Sequence, residues 1–240
     1  MAATRSTRDA LLEQGALLFA RHGVTGVPVK ALHEAVGARN ESALHYHFGS
    51  RRGLLAEILR VHLTAVERRR AVLAEEIEAT GRTGDLRALV HALAAPMADD
   101  LHDPVGRAHL RLVAQLSHPS LAYDEAFRSA REVEVDAVAG TRVVRWLRAA
   151  LPALPSPVRR ERLADLRGHL ISSFGLRAQL IDDDPRHGDP AGVALFLENL
   201  LDVLVAALTA PPSPATLAAA RAERGRGGRG GDGERAAPAG

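Results

Sequence analysis

Apolar residues recur at intervals of three and four along almost the whole chain, and Gly or Pro arrives at helix-length intervals, a pattern that leaves strands almost nowhere to form. The fold expected is all-α. Leu11-Leu12 through Leu18-Phe19 predict a first helix closing at Gly23, residues 28–36 a second, and the run ending in Phe48 a third. Arg51 or Arg52 opens a long helix whose apolar face runs through Leu55, Leu59, His62, Val66, Leu73 and Ile77 and stops near Gly81. Further helices are expected over 84–102, 105–116, 120–151, 157–181 and 190–209. Asp103-Pro104, His118-Pro119 and the prolines of 152–157 mark their boundaries, because Pro cannot continue a helix and biases the residue before it away from helical geometry. Asp189-Pro190 is a strong start, with a capping carboxylate followed by Pro in the first turn.

The most chemically distinctive stretch lies between the second and third of these patterns. Gly37-Ala38-Arg39-Asn40-Glu41-Ser42-Ala43-Leu44-His45-Tyr46-His47-Phe48-Gly49-Ser50-Arg51 joins a turn to a short helical pattern rich in hydrogen-bonding side chains. A helix-turn-helix needs this to seat a helix in the DNA major groove. Arg can pair bidentately with guanine and Asn with adenine, so Arg39 and Asn40, with Ser42, are the candidates for base readout. Asn40 and Ser42 are equally suited to capping the third helix, and that alternative stays open. Charge agrees with a nucleic-acid-binding head: the formal net charge is only +2, but residues 1–60 carry Arg5, Arg8, Arg21, Lys30, Arg39, Arg51, Arg52 and Arg60 against Asp9, Glu13, Glu34, Glu41 and Glu57.

With Phe19, Gly23, Leu32, Gly37 and the Tyr46-His47-Phe48-Gly49-Ser50 run in place, residues 8–60 resemble the N-terminal domain of the tetracycline-repressor (TetR) family of bacterial transcriptional regulators. The resemblance implies a helix-turn-helix head over 1–50, a helical effector-binding and dimerisation domain over 51–210, and double-stranded DNA as partner. Anchored on Phe48, the family's phosphate-contacting Tyr falls on His45 and its basic residue opening the fourth helix on Arg51. Lys30, His45, Tyr46 and Arg51 are therefore the phosphate candidates, while His47 and Phe48 point away, Phe48 joining Phe19, Leu32 and Leu44 in the head's core. Two departures stand out. Pro28 replaces the Thr that usually caps the second helix, and the turn between Gly37 and Ser42 is one residue longer than the common pattern. The resemblance also implies a homodimer built on the last two long helices. Val193, Phe196, Leu197, Leu200, Leu201, Leu204 and Leu208 independently offer more apolar surface than one stripe needs, so Leu197, Leu201, Leu204 and Leu208 are the expected interface. A small-molecule effector would sit between helices of the body, with Met97, Leu112, Trp146 and Phe174 as candidate lining or plain core.

Other classes are poorly served. There is no cysteine, hence no disulfide or thiolate metal site, and no apolar leader opens the chain, which reads as cytoplasmic. The apolar run 191–210 is interrupted by Glu198, Asn199 and Asp202, which suits a buried or intersubunit helix better than a membrane span. His91, Asp99, Asp100, His102, Asp103 and His109, and separately Asp182–184 with His187 and Asp189, are the only groupings that resemble metal ligands, and neither has a ligand motif, so no metal or cofactor is expected. Phosphate loops, nucleophile elbows and dinucleotide glycines are missing, so no enzyme is expected either. Residues 211–240, rich in Arg, Gly and Pro, cannot bury apolar area and are expected to be disordered, with 214–224 as a fraying helix. A helix-turn-helix protein without a ligand, and a helical-bundle enzyme or interaction module, remain the alternatives.

Overall fold

The structure is a computed structural model that describes residues 6–35, 42–117 and 138–227. Ten α-helices fill these segments, and no strand occurs among the described residues. They are α1 (Thr7–His22), α2 (Val29–Ala35), α3 (Ser42–Phe48), α4 (Arg51–Ala79), α5 (Leu86–Asp99), α6 (Pro104–Leu116), α7 (Val138–Ala150), α8 (Ser156–Asp183), α9 (Pro190–Thr209) and α10 (Pro214–Gly227). Capping side chains open most of them where the sequence placed a break: Ser6 accepts from the Asp9 amide, Ser50 from Gly53, Asp85 from Ala88, Asp103 from Val105 and Gly106, and Asp189 from Gly192. Gly23 and Gly81, at φ 75° and 69°, supply the positive-φ residues just past α1 and α4.

Two cores organise the molecule. One gathers Leu11, Phe19, Leu32 and Leu44 from the first three helices, but it is completed by Leu54, Leu55, Ile58 and Leu59 of α4 and by Ala108, Leu112 and Leu116 of α6. The polypeptide break expected at residue 50 falls at the α3–α4 turn, yet the head's core continues beyond it. The second core lies in the body, where α4, α5, α7, α8 and α9 surround Leu89, Leu101, Leu147, Leu170, Phe174 and Leu201. α4 and α6 belong to both.

Several expectations change here. Leu201, Leu204 and Leu208 are only 1–2% exposed within a single protomer, because they face the body's own core, and Leu197 is partly buried there too. With apolar residues at most positions of the helix, periodicity does not show which of them face inward, and the exposed large apolar residues of α9 are instead Leu195 and Val203, 71% and 51% exposed. By length and composition α9 would also pass for a membrane span, but these leucines pack inside the body. Leu112 does not join the other candidate pocket residues: it packs in the head's core, whereas Met97, Trp146 and Phe174 belong to the body's. Lastly, the fraying helix expected over 214–224 is α10, and it is docked rather than free, since Ala220 buries itself against Leu154 and Val158 while Arg160 reaches Glu223 at 2.5 Å.

Candidate nucleic-acid interface

The interface candidate is assembled by the short α3. Seven residues are too few for a helix to be stable alone, so its position must be imposed by packing. Leu44 anchors it in the head's core and Phe48 lies half-buried at its end. The chain then reverses through Gly49, at φ 70°, a conformation that other residues adopt only under strain. Gly53 completes the corner, because a Cβ there would run into the Phe48 carbonyl. With the inner side fixed in this way, His45 and Tyr46 stand outward, Tyr46 84% exposed. His47 was expected to point away from this face, but it too is only partly covered, with its ring edge-on to Tyr46 at 5.0 Å.

Arg39 and Asn40 lie outside the described residues. Ser42 is the first residue of α3. Lys30, on the second residue of α2, is exposed and pairs with Glu34 at 3.5 Å, an exposed contact of the kind that contributes little. Pro28 still opens α2 through its carbonyl, which accepts from the Ala31 amide. Arg51 opens α4 as expected, but its guanidinium also donates to the Val27 carbonyl at 2.9 Å and the Thr25 carbonyl at 3.4 Å, fastening the α1–α2 loop to α4. That second role was not visible in sequence, because it depends on a backbone carbonyl 24 residues away.

Behind this face the head meets the body through α6. Arg111 and Gln115 both donate to the Ala20 carbonyl, at 3.2 and 2.9 Å, satisfying one of the open carbonyls at the end of α1. Arg111 and Arg107 in turn hold Asp182 of α8, at 2.8 and 2.6 Å. The acidic run 182–184 is thus partly neutralised, with Asp184 bonded to Arg186 and Asp189 used as a cap. Nearer the centre a polar knot is buried between α4 and α6. The imidazoles of His62 and His109 stack with centroids 4.4 Å apart, and Asp100 receives the Arg69 guanidinium at 2.6 Å. His62 Nε2 lies 3.6 Å from Asp100, an arrangement that favours imidazolium, but burial, His109 and Arg69 outweigh it and hold the ring neutral. A separate cleft of about 290 Å³ opens between α4, α5 and α9, bordered by Glu76, Thr80, Arg87, His91 and Glu198, and none of the four candidate effector-pocket residues lines it.

No protein-family model matches the chain, and no curated protein matches it. Solved structures do. A protein of Shewanella sp. PV-4 described as a tetR family transcription regulator aligns over 83% of this chain and 98% of its own, with 16% identity and a TM-score of 0.52. The TetR family transcriptional regulator PfmR of Thermus thermophilus aligns over 88% and 100%, with 18% identity and a TM-score of 0.46. A structure described as the molecular basis for control of antibiotic production by bacterial hormones aligns over 86% and 100%, with 26% identity and a TM-score of 0.48. The first of these shows that the chain has the fold of TetR-type regulators, an N-terminal helix-turn-helix followed by a helical body.

Proposed function

We propose that the chain is a TetR-family transcriptional regulator of the cytosol, a homodimer that binds a palindromic operator and is released by a small-molecule effector. The observation that carries this reading is α3 itself: a helix too short to stand alone, seated by Leu44 and the half-buried Phe48 and offering His45 and Tyr46 outward, in a head that also exposes Lys30 on α2 and opens α4 with Arg51. In this reading Arg39, Asn40 and Ser42 read bases, and Lys30, His45, Tyr46 and Arg51 hold phosphate.

The dimer forms through the free sides of the last long helices, Leu176 and Leu180 on α8 with Leu195 and Val203 on α9, all exposed in the protomer. Large apolar residues repeated on two helices are costly to leave in water, which favours a partner over them. An effector acts by preferring the arrangement whose heads are wrongly spaced for DNA, and a near-complete switch takes about 5.5 kcal/mol of differential affinity. Repression and activation differ only in sign, and repression is the reading adopted. The connection of body to head runs through α6, whose Arg111 and Gln115 grip the end of α1.

The test is direct. Binding to mixed-sequence duplex DNA, followed by fluorescence anisotropy between 50 and 200 mM salt (roughly the range over which phosphate contacts are resolved), should show affinity falling steeply as salt rises. Absence of DNA binding at the low-salt end refutes the reading.

A further inference from the structure

Leu44 and the Gly49 corner seat the seven-residue α3, and a further contact at its last turn would hold its angle. One side chain of α1 is placed to do it. The Arg8 guanidinium lies over the Phe48 ring, 5.7 Å from its centroid, at the very end of α3. The same guanidinium is ion-paired with Glu57 of α4. Glu57 is itself held by Arg60 through two bonds, at 2.6 and 2.7 Å. A cation over an aromatic face is attracted by the ring's quadrupole, and a carboxylate bound from two sides cannot swing away. The result is a continuous chain of contacts, Arg60 to Glu57 to Arg8 to Phe48, that ties all three elements together. Arg8 is 40% exposed and Glu57 20%, so the contacts are partly sheltered from water and worth more than those of a fully exposed pair.

Resting on the DNA-binding reading above, we propose that Arg8 and Glu57 are positioning residues for sequence recognition, a clamp that sets the angle of α3 against α4. Neither needs to touch a base. A few degrees of tilt about the last turn of a seven-residue helix displace its first residue, the base-reading candidate Ser42, relative to base edges, whereas phosphate attraction tolerates such a shift. The clamp therefore acts on specific binding and leaves general affinity nearly alone.

Charge alone makes the opposite forecast, and this gives the test. Glu57→Gln removes a negative charge from a DNA-facing head while keeping the side chain's shape. A pure charge effect would strengthen binding to every sequence; loss of the clamp weakens the selected site by roughly tenfold, with affinity for random duplex unchanged or slightly higher. Arg8→Lys, which keeps the charge but loses the planar stack, should show part of the same loss with an unaltered salt slope, and the double variant should lose little more than Glu57→Gln alone, because both act through one contact. Affinities are to be measured by anisotropy on a site selected with the wild-type full chain and on random duplex, with helicity and melting checked for each variant. If Glu57→Gln fails to fold, Arg8→Lys carries the comparison. Equal or tighter binding of the selected site by the folded variants overturns the clamp, and so does a loss shared equally by both DNAs in Arg8→Gln with the salt slope reduced by about one, since Arg8 would then be a phosphate contact. Failure of the wild type to select any site refutes the DNA-binding reading instead, and the clamp's role with it.

Discussion

Acidification should weaken this fold through the two stacked histidines, and the structure sets the size of the effect. Burial pushes the His109 imidazole down to about 4 from an ordinary value of 6.5, against the pull of Asp103 and of its bond to the Val105 backbone. His62 is lowered as well, by burial first and then by His109 and Arg69. In the unfolded chain both rings take a proton near their ordinary value, but in the fold they resist it. Stability is therefore complete above the unfolded value, is lost as pH falls below it, and levels off for His109 below about 4. The His109 shift alone corresponds to about 3 kcal/mol, a large part of a typical 5–15 kcal/mol total of roughly domain size. The other charged groups facing the pair are Arg69, Asp100 and Asp103. Asp100 works in the opposite direction: burial raises its carboxyl despite the Arg69 bond, so its protonation in acid restores some stability toward its ordinary value of 3.8. The histidine effect is thus best isolated above roughly pH 5. Urea unfolding at pH 8, 7, 6 and 5 (values chosen to span about the histidine range) should give a falling midpoint, and His109→Phe, which keeps the stack, should flatten the slope. A midpoint that stays level from pH 7 to pH 5 (about the window of histidine protonation) would refute neutral buried rings.

Other outcomes follow from single contacts. Lys30→Ala should leave stability unchanged and reduce the salt slope of DNA binding by about one, whereas Arg51→Ala should also cost about 1.5–3 kcal/mol in urea unfolding, because it releases the Val27 carbonyl; equal effects from the two would refute their separate roles. Leu195→Glu or Leu176→Glu should yield a folded monomer in sedimentation, while Leu201→Ala should cost about 2–5 kcal/mol of protomer stability; a dimer surviving both Glu substitutions would place the interface elsewhere. Asp182→Ala leaves Arg107 and Arg111 without their shared partner and should destabilise by about 1.5–3 kcal/mol, and an unchanged urea midpoint would count against the α6–α8 link.

The helices were legible because their ends are chemically marked: Asp189-Pro190 sets the start of α9 and Gly81 the stop of α4. The head's core could be read for the same reason, since Phe19, Leu32 and Leu44 sit at helical spacing around known turns. Which side of α9 faces inward could not, because apolar residues fill most of its positions and Glu198, Asn199 and Asp202 mark only a short polar stretch, so only packing against α5 and α8 separates Leu201 from Leu195. Arg8 and Glu57 are 49 residues apart, and nothing local in either segment announces that they meet. Leu112, candidate pocket lining or plain core by sequence, packs in the head's core rather than with Met97, Trp146 and Phe174, because α6 serves both cores, a property of topology rather than of its own sequence. The candidates Arg39 and Asn40 rest on residue type alone.

Selection of duplexes from a random pool by the full chain decides whether the proposed two-fold dimer of these heads reads a symmetric DNA site. A palindrome should be enriched whose half-sites are centred about 34–36 Å apart, one helical turn, or a multiple of that spacing. Recovery of no common sequence, or of an asymmetric site bound by a single protomer, would contradict it.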